Sequence, residues 1–356
     1  MRRALLWSPV VALAAAAVTL SACSSSTSGS PAAAGSSGPV GASTSVSSSS
    51  APSSPASSPE STSSSAAATG RPVHIKLLED DEFGPVTYGV GMPIVAYFSR
   101  RITDAAAFST ATTVTVNGKP ANGAWYFERS RQIAGYPIEA HYRPAPRPGE
   151  NGLYWPAHAR ISMDMATKGV SAGKGLVFDD SLTLRMRTGA AHISTVDCAP
   201  GVETMKVYSD GKLVHRMSTS CGAAQTPTYT GIKVVMQKGE DAPGTDRLRP
   251  QGAVEMIGTG SDHYDLIVPW SVRITASGEY VHAASWNGGN IGIRSTSNGC
   301  TNLNVGAAEW FYHFANIGDV VTYTHTGGSP MPTWDGFGDW NVPWSQWRLG
   351  GIVPSS

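Results

Sequence analysis

The residues best suited to covalent chemistry lie close together near the C-terminal end of the chain. Cys300 follows Gly299, and the nearest histidine upstream is His282. A cysteine nucleophile needs a base or a cationic imidazole beside it, because the thiolate is the attacking form. Gly299 lets the backbone approach an acyl group closely, and the amides from Asn298 to Cys300 could then stabilise an oxyanion. The residue types therefore predict nucleophilic acyl chemistry at Cys300.

These residues need elements that bring them together. His282 lies on a predicted strand over 279–283, and Cys300 follows a turn that contains glycine. A strand, a loop and a return over this distance would bring the two side chains into contact. A metal site is not predicted, because the chain offers neither a CxxC nor an HxxxH companion. We therefore expect no metal, and acyl transfer through a cysteine requires no organic cofactor.

The four cysteines of the chain have different expected roles. Cys198 and Cys221 flank a hairpin-like segment and are predicted to form a disulfide in an oxidising compartment, two buried free thiols being the alternative. Cys300 would then remain as a free thiol. Cys23 belongs to the N-terminal segment.

The N-terminus is predicted to carry a lipoprotein signal peptide over residues 1–22. Arg2 and Arg3 precede an apolar stretch that ends in Leu20-Ser21-Ala22-Cys23, which matches a bacterial lipobox. Acylation of Cys23, for example with palmitate, would hold the chain on the outer face of the cytoplasmic membrane. An ordinary signal peptide followed by an incidental cysteine is the alternative. No other apolar run is long enough to span a bilayer.

A linker is predicted to follow, over residues 23–70. Residues 24–70 are almost entirely Ser, Ala, Pro, Gly and Thr, with Glu60 as the only charge, so this segment cannot bury enough apolar surface to fold. The whole chain has 26 basic and 26 acidic residues, which indicates no nucleic-acid partner.

Residues 71–189 are predicted to form a β-sandwich. Short apolar or alternating runs recur at intervals of about a dozen residues with Gly and Pro between them, and one is followed by the turn dipeptide Asn117-Gly118. The predicted strands are 93–98, 112–116, 123–127, 158–165 and 182–187. No cluster of titratable residues is evident here, so a spacer or positioning role is expected.

From residue 190 the strands continue and one helix is predicted. A hairpin is expected around Asp210-Gly211, with further strands at 231–236, 266–274, 279–283 and 319–324. The helix is predicted over 305–316, with Asn304 as N-cap and Gly318 as the stop. Its core face is predicted to consist of Trp310, Phe311, Phe314 and Ile317, and His313 is interpreted as structural.

The stretch Ser297-Asn298-Gly299-Cys300-Thr301-Asn302, with His282 upstream, resembles the L,D-transpeptidase family of the YkuD-like fold. The family motif is a histidine, a variable loop, and then Ser/Thr-His-Gly-Cys followed by a small or apolar residue and Asn. Residues 308–312 and 318–321 also look like the family. The Trp-rich segment 335–348 is typical of actinobacterial lipoprotein members with an Ig-like domain before the catalytic domain.

The resemblance implies a mainly β fold in three parts. An Ig-like β-sandwich over 71–189 would precede a β-rich catalytic domain over 190–328 with one or two short helices. A Trp-rich extension over 329–356 would pack on the catalytic domain. The tryptophans of this extension are interpreted as a packing collar, with sugar stacking as the alternative.

The sequence departs from the family motif at two positions. Asn298 replaces the motif histidine, and an amide does not titrate near neutral pH, so a structural or substrate-binding role remains for it. Ala283 stands where relatives often have serine, so a backbone carbonyl must orient the imidazole of His282.

Further site residues are implied by the resemblance. Tyr264 and Met256 fall on a flap-like segment over the site, and Trp286 and Asn302 are expected near the nucleophile. For the first three, ordinary packing is the alternative. For Asn302, the alternative is a hydrogen bond to the backbone.

The implied activity is formation of 3→3 peptidoglycan cross-links through a thioester on Cys300. The implied partners are donor and acceptor stem peptides, with D-alanine released from a tetrapeptide donor, and the implied inhibitors are carbapenem β-lactams. Two alternatives remain. In the first, water instead of an amine attacks the thioester, and the enzyme is an L,D-carboxypeptidase. In the second, Asn298 makes the catalytic domain inactive, and the protein is an Ig-like lipoprotein that binds the wall.

Overall fold

The computed structural model describes residues 69–79, 86–149, 152–239, 251–258 and 264–353. The predicted signal peptide, Cys23 and nearly all of the predicted linker lie outside these residues. Secondary structure in the described residues is mainly β, with three short α-helices. No helix in this part of the chain is long and apolar enough to cross a membrane.

The first half of the described chain has twelve strands and one helix, α1 (Ala105–Thr110). The strands are β1 (Arg71–Val73), β2 (Ile75–Leu77), β3 (Val86–Tyr88), β4 (Ile94–Phe98), β5 (Thr112–Val116), β6 (Lys119–Pro120), β7 (Gly123–Arg129), β8 (Ile138–Pro144), β9 (Arg160–Met165), β10 (Ser171–Gly173), β11 (Leu176–Phe178) and β12 (Leu182–Thr188).

These strands form two sheets around one apolar core, with a small third sheet beside them. The sheet orders are β3-β12-β9-β5-β6, β2-β4-β8-β7 and β1-β11-β10. Strand β4 shows why the apolar run at 93–98 has no polar face. Ile94, Ala96 and Phe98 point into the core between the sheets. Val95 and Tyr97 point outward into a second apolar cluster. Both faces of this strand are therefore buried.

The second half has eleven strands and two helices, α2 (Val305–Phe314) and α3 (Trp344–Trp347). The strands are β13 (His192–Asp197), β14 (Thr204–Ser209), β15 (Lys212–Ser218), β16 (Gly231–Val234), β17 (Gln237–Lys238), β18 (Val254–Gly258), β19 (Tyr264–Val268), β20 (Val272–Arg273), β21 (Tyr280–Ala283), β22 (Thr301–Leu303) and β23 (Val320–Thr324).

The sheets of the second half enclose another core. Their orders are β15-β14-β13-β23-β16, β17-β20-β21-β22 and the hairpin β18-β19. Helix α2 covers this core with Ala308, Phe311 and Tyr312 buried. The hairpin between β14 and β15 turns at Asp210 and Gly211, both with positive φ, as the sequence predicts.

Helix α2 differs from the prediction at its C-terminal end. It ends at Phe314, because Ala315 already has extended backbone angles, so the predicted range 305–316 is two residues too long. Ile317 is exposed rather than in the core. Asn304 precedes the helix without a side-chain cap hydrogen bond. The prediction was wrong because it extended the helical period of apolar residues beyond Phe314.

The C-terminal segment contacts the sandwich as well as the second half. Trp347 is fully buried, donates from Nε1 to the carbonyl of Ala124 and stacks on Tyr126, both in β7. On the other side, the side chain of Asn341 bonds the amide and the carbonyl of Ile232 in β16. The prediction of packing on the catalytic domain alone was therefore incomplete, because the deepest tryptophan packs on the Ig-like side.

Candidate active site

Two neighbouring strands hold the predicted nucleophile and base. Strands β21 and β22 pair in parallel, with His282 opposite Asn302, and Cys300 comes directly before β22. Residues paired across strands share a face, and so do residues two apart along one strand. Cys300, Asn302 and His282 therefore project from the same side of the sheet.

That side of the sheet opens into a cavity of about 280 Å³. The cavity brings together all but one of the residues predicted for catalysis and substrate binding. It is lined by Met256, Tyr264, Leu266, Val268, His282, Trp286, Asn287, Thr296, Ser297, Asn298, Cys300 and Asn302. Gly299 is absent from the lining and is buried below it.

His282 is buried and oriented by the backbone. Its Nδ1 donates to the carbonyl of Ala283 at 2.9 Å, which leaves Nε2 as the ring nitrogen able to accept a proton. Burial lowers the pKa of His282 to about 4, although the hydrogen bond to Ala283 acts in the opposite direction. The imidazole is therefore a neutral base at neutral pH. The backbone carbonyl of Ala283 thus orients the imidazole, as expected for a chain that has no serine hydroxyl at position 283.

The thiol of Cys300 is also held in its neutral form. Its Sγ lies 3.7 Å from the carbonyl of Gly278. Removal from solvent raises the pKa of the Cys300 thiol to about 11, and the nearby carboxylate of Glu279 acts in the same direction. With His282 also neutral, the resting pair is thiol and imidazole rather than thiolate and imidazolium. Attack by such a thiol requires transfer of its proton to a base as the sulfur reacts.

The loop that presents the nucleophile depends on glycine. Gly299 has φ of +109°, a conformation that other residues rarely adopt. Its carbonyl accepts a hydrogen bond from Thr228 Oγ1 at 2.8 Å. The hydroxyl of Ser297 donates to the carbonyl of Cys300 at 2.5 Å. These bonds hold the backbone on both sides of the thiol.

A disulfide supports the same loop. Cys198 and Cys221 are bonded in the structure, and Cys300 is the free cysteine among the described residues. The carbonyl of Cys221 accepts from the amides of Thr296 and Ser297 at 2.9 and 3.0 Å. The covalent link therefore fixes the segment against which the nucleophile loop is hydrogen-bonded.

The predicted substrate-binding residues occupy different parts of the cavity. Met256 and Tyr264 lie on the β18-β19 hairpin. Trp286 is 57% exposed and stacks near His282 with the ring centroids 6.0 Å apart. Asn298 is exposed. Asn302 is 3% exposed, and its Oδ1 is buried without a hydrogen-bond partner, so this oxygen is free to accept from a ligand.

Sequence reasoning missed a buried ion pair below the nucleophile. Lys233 Nζ contacts Glu279 Oε2, and Glu279 also accepts from the amide of Tyr229 at 2.8 Å. Lys233 lies 3.9 Å from the ring centre of Tyr323. A lysine inside the apolar strand 231–236 was the available signal, because buried lysines require a partner. The sequence does not reveal that this partner is Glu279.

Two segments of the chain match known protein families. Residues 195–322 match the L,D-transpeptidase catalytic domain (YkuD) family. Residues 39–171 match a bacterial Ig domain family, so this match begins inside the predicted linker.

Two curated relatives come from Mycobacterium tuberculosis. L,D-transpeptidase 2 is 30% identical over 282 residues, which cover 79% of this chain and 64% of the relative. L,D-transpeptidase 5 is 28% identical over 278 residues, which cover 75% of this chain and 54% of the relative. The chain therefore spans less than two thirds of the length of these relatives.

Solved structures show the same fold. The structure of LD transpeptidase LdtMt1 in complex with imipenem aligns with a TM-score of 0.53 and 23% identity, covering 70% of this chain and 97% of that one. An L,D-transpeptidase from Mycobacterium smegmatis aligns with a TM-score of 0.50 and 23% identity, covering 70% and 99%. Residues 195–322 are therefore similar to the L,D-transpeptidase catalytic domain of the YkuD family, and residues 39–171, which precede them, are similar to a bacterial Ig domain.

Proposed function

We propose that this protein is a cysteine L,D-transpeptidase that forms 3→3 cross-links between peptidoglycan stem peptides. The supporting observation is the single cavity that contains the free thiol of Cys300, the neutral imidazole of His282 and the unpaired Oδ1 of Asn302. These are the groups needed for attack on an amide, for proton transfer and for binding the amide N–H of a donor.

Acylation proceeds by attack of Cys300 Sγ on the carbonyl of the third residue of a tetrapeptide stem. The thiol proton passes to Nε2 of His282 as the carbon–sulfur bond forms. Backbone amides around Asn298 to Cys300 stabilise the oxyanion. The amine of D-alanine then leaves with the proton from His282. The product is a thioester, which retains the reactivity of the broken peptide bond without ATP.

Deacylation completes the cross-link. The side-chain amine of a second stem attacks the thioester carbonyl, and His282 accepts a proton from this amine. Collapse of the intermediate releases Cys300 as a thiol when His282 returns the proton. Met256 and Tyr264, on the hairpin β18-β19, and the exposed Trp286 line the cavity that would receive the stems, which supports this step.

The test uses a carbapenem, since imipenem is the ligand in one of the aligned structures. We expect intact mass of the purified protein to increase by one carbapenem, and the Cys300→Ala variant to remain unmodified. An unmodified wild-type protein, or an adduct that survives Cys300→Ala, contradicts the proposal. With a disaccharide-tetrapeptide substrate, a 3→3 dimer is expected, whereas accumulation of tripeptide alone identifies an L,D-carboxypeptidase.

We also propose that the protein acts at the outer face of the cytoplasmic membrane, held there by a lipid on Cys23. The lipobox supports this placement, and the enzyme would then face its substrate in the cell wall. Labelled palmitate should be incorporated by the wild type and not by Cys23→Ala. Release of the wild type from membranes by high salt alone contradicts lipid anchoring.

A further inference from the structure

Three titratable side chains are buried together on the face of the sandwich that the C-terminal segment covers. Glu128 and Glu139 are 8% and 2% exposed, and His141 is 3% exposed. One potential ligand atom from each lies within 4.8 Å of the others, and this is the one such group found among the described residues. We call these three side chains the carboxylate–histidine cluster.

Strand register creates the cluster. Strands β7 and β8 are antiparallel, and Glu128 is directly opposite Glu139. His141 follows two residues later on β8, so its side chain shares the face of Glu139. Ile138 and Ala140, which alternate with them, point into the sandwich core. Two carboxyl groups directly opposite each other are destabilising unless a cation lies between them.

His141 is oriented so that Nε2 faces the carboxyl groups. Its Nδ1 contacts Asp339 Oδ1 at 2.6 Å, and Asp339 is fully buried. Its Nε2 lies 3.8 Å from Glu139 Oε1, which is too far for a direct hydrogen bond. Two ligands that each lie about 2.1 Å from one ion are separated by up to about 4.2 Å. The observed separation therefore admits an ion between them.

The cluster contains an oxygen atom that the protein does not satisfy. Glu139 Oε2 is buried and has no hydrogen-bond partner. Burying an unpaired carboxylate oxygen is costly, so it needs a proton or a cation. The nearby guanidinium of Arg143 donates instead to the backbone carbonyls of Asp339 and Val342.

We propose that Glu128, Glu139 and His141 bind a divalent transition-metal ion, with Asp339 positioning His141. Imidazole nitrogen and carboxylate oxygen together suit zinc and related ions. A carboxylate on the second nitrogen of the histidine is the usual support of such a ligand. This site is separate from the acyl-transfer cavity, so the proposal does not depend on the proposed function.

The ion would connect the sandwich to the C-terminal segment. All three ligands come from β7 and β8, whereas Asp339 and Thr333 reach the cluster from the C-terminal segment, Thr333 by donating its hydroxyl proton to Glu128 Oε2. Occupancy would therefore stabilise the docking of this segment on the sandwich.

The test measures zinc binding by the full-length protein in the Cys300→Ala background, which removes the free thiol as a competing zinc ligand. After chelation and buffer exchange, calorimetry should give one zinc ion per chain. Thermal unfolding should shift upward by about 5 °C at a hundredfold excess of zinc over its Kd. Glu139→Gln should weaken zinc binding by about 100-fold or more and abolish this shift.

Glu203→Gln is the matched control, since Glu203 is fully buried and also has an unpaired oxygen, outside the cluster. It should bind zinc as the parent does. If Glu139→Gln fails to fold, Glu128→Gln replaces it with the same expected loss. Absence of zinc binding by the parent overturns the proposal, and so does binding that both cluster variants retain.

Discussion

Two buried histidines of this chain each have Nδ1 held by an oxygen, yet their basicities move in opposite directions. Burial disfavours the charged form of His141, but the charge and hydrogen bond of Asp339 act together with the charges of Glu139 and Glu128, and the pKa of His141 is raised to about 10. Burial dominates at His282, where the partner is the neutral carbonyl of Ala283, and lowers the pKa to about 4.

The difference shows that burial alone does not fix the charge of a buried histidine, because the carboxylates around it, first of all a carboxylate on Nδ1, can reverse the effect of burial. A carboxylate partner makes His141 a cation or a metal ligand and assigns it to the docking of the C-terminal segment. A carbonyl partner keeps His282 neutral, so that Nε2 accepts the proton of Cys300. Changes at His282 should therefore affect chemistry, and changes around His141 should affect stability.

The largest expected effect is on chemistry. His282→Ala should lower the rate of carbapenem acylation by about 10²- to 10⁴-fold, because general-base catalysis is lost. Because His282 is buried, its truncation also leaves a cavity and lowers the free energy of unfolding, so the acylation rates are compared for folded protein. His313→Ala is the control, since His313 is exposed on α2 and outside the cavity, and its acylation rate should match the wild type. An equal loss in both variants contradicts the role given to His282.

The next effect is at Lys233. Lys233→Met leaves Glu279 buried without its cation and should lower the free energy of unfolding by about 3–5 kcal/mol. The double variant Lys233→Met with Glu279→Gln should recover most of this loss, because no charge is then left unpaired. Chemical denaturation measures both. A double variant as unstable as the single one shows that packing, and not charge, is responsible.

A somewhat smaller effect is expected at Asp339. Asp339→Asn removes the charge that supports His141 and should lower the free energy of unfolding by about 3 kcal/mol. The acylation rate of the folded protein should not change. Asp319→Asn is the comparison, because Asp319 bonds the half-buried His192. It should cost about 1 kcal/mol. An altered acylation rate in Asp339→Asn would contradict the conclusion that His141 affects stability and only His282 affects chemistry.

The smallest effect is the pH dependence near neutrality. Because the folded pKa of His282 is lowered to about 4, the imidazole stays a base above that value and is lost as a base when the pH falls through it. The pKa of Cys300, raised to about 11, lies above the working range. Acylation should therefore vary by less than about twofold between pH 6 and pH 9. A midpoint near 6.5 contradicts the lowered pKa.

Much of the local structure could be predicted from the sequence, because it depends on neighbouring residues. Strands β4 and β5 and the turn at Asp210-Gly211 follow from apolar runs and turn residues. The resemblance in residues 297–302 led to the residues of the cavity. Predictions that depended on distant contacts were less accurate. Ile317 was placed in the core and is exposed, and Trp347 was expected on the catalytic domain and packs on β7.

The sequence by itself determined the free thiol at Cys300, the histidine available to it and the glycine that its loop requires. Only the tertiary structure decided their protonation, since burial and the carbonyl of Ala283 come from folding. The same holds for the carboxylate–histidine cluster. Glu128 and Glu139 are eleven residues apart in the chain, and antiparallel register alone places them opposite each other. Long-range pairing is not encoded in local spacing, so the sequence could not reveal this site.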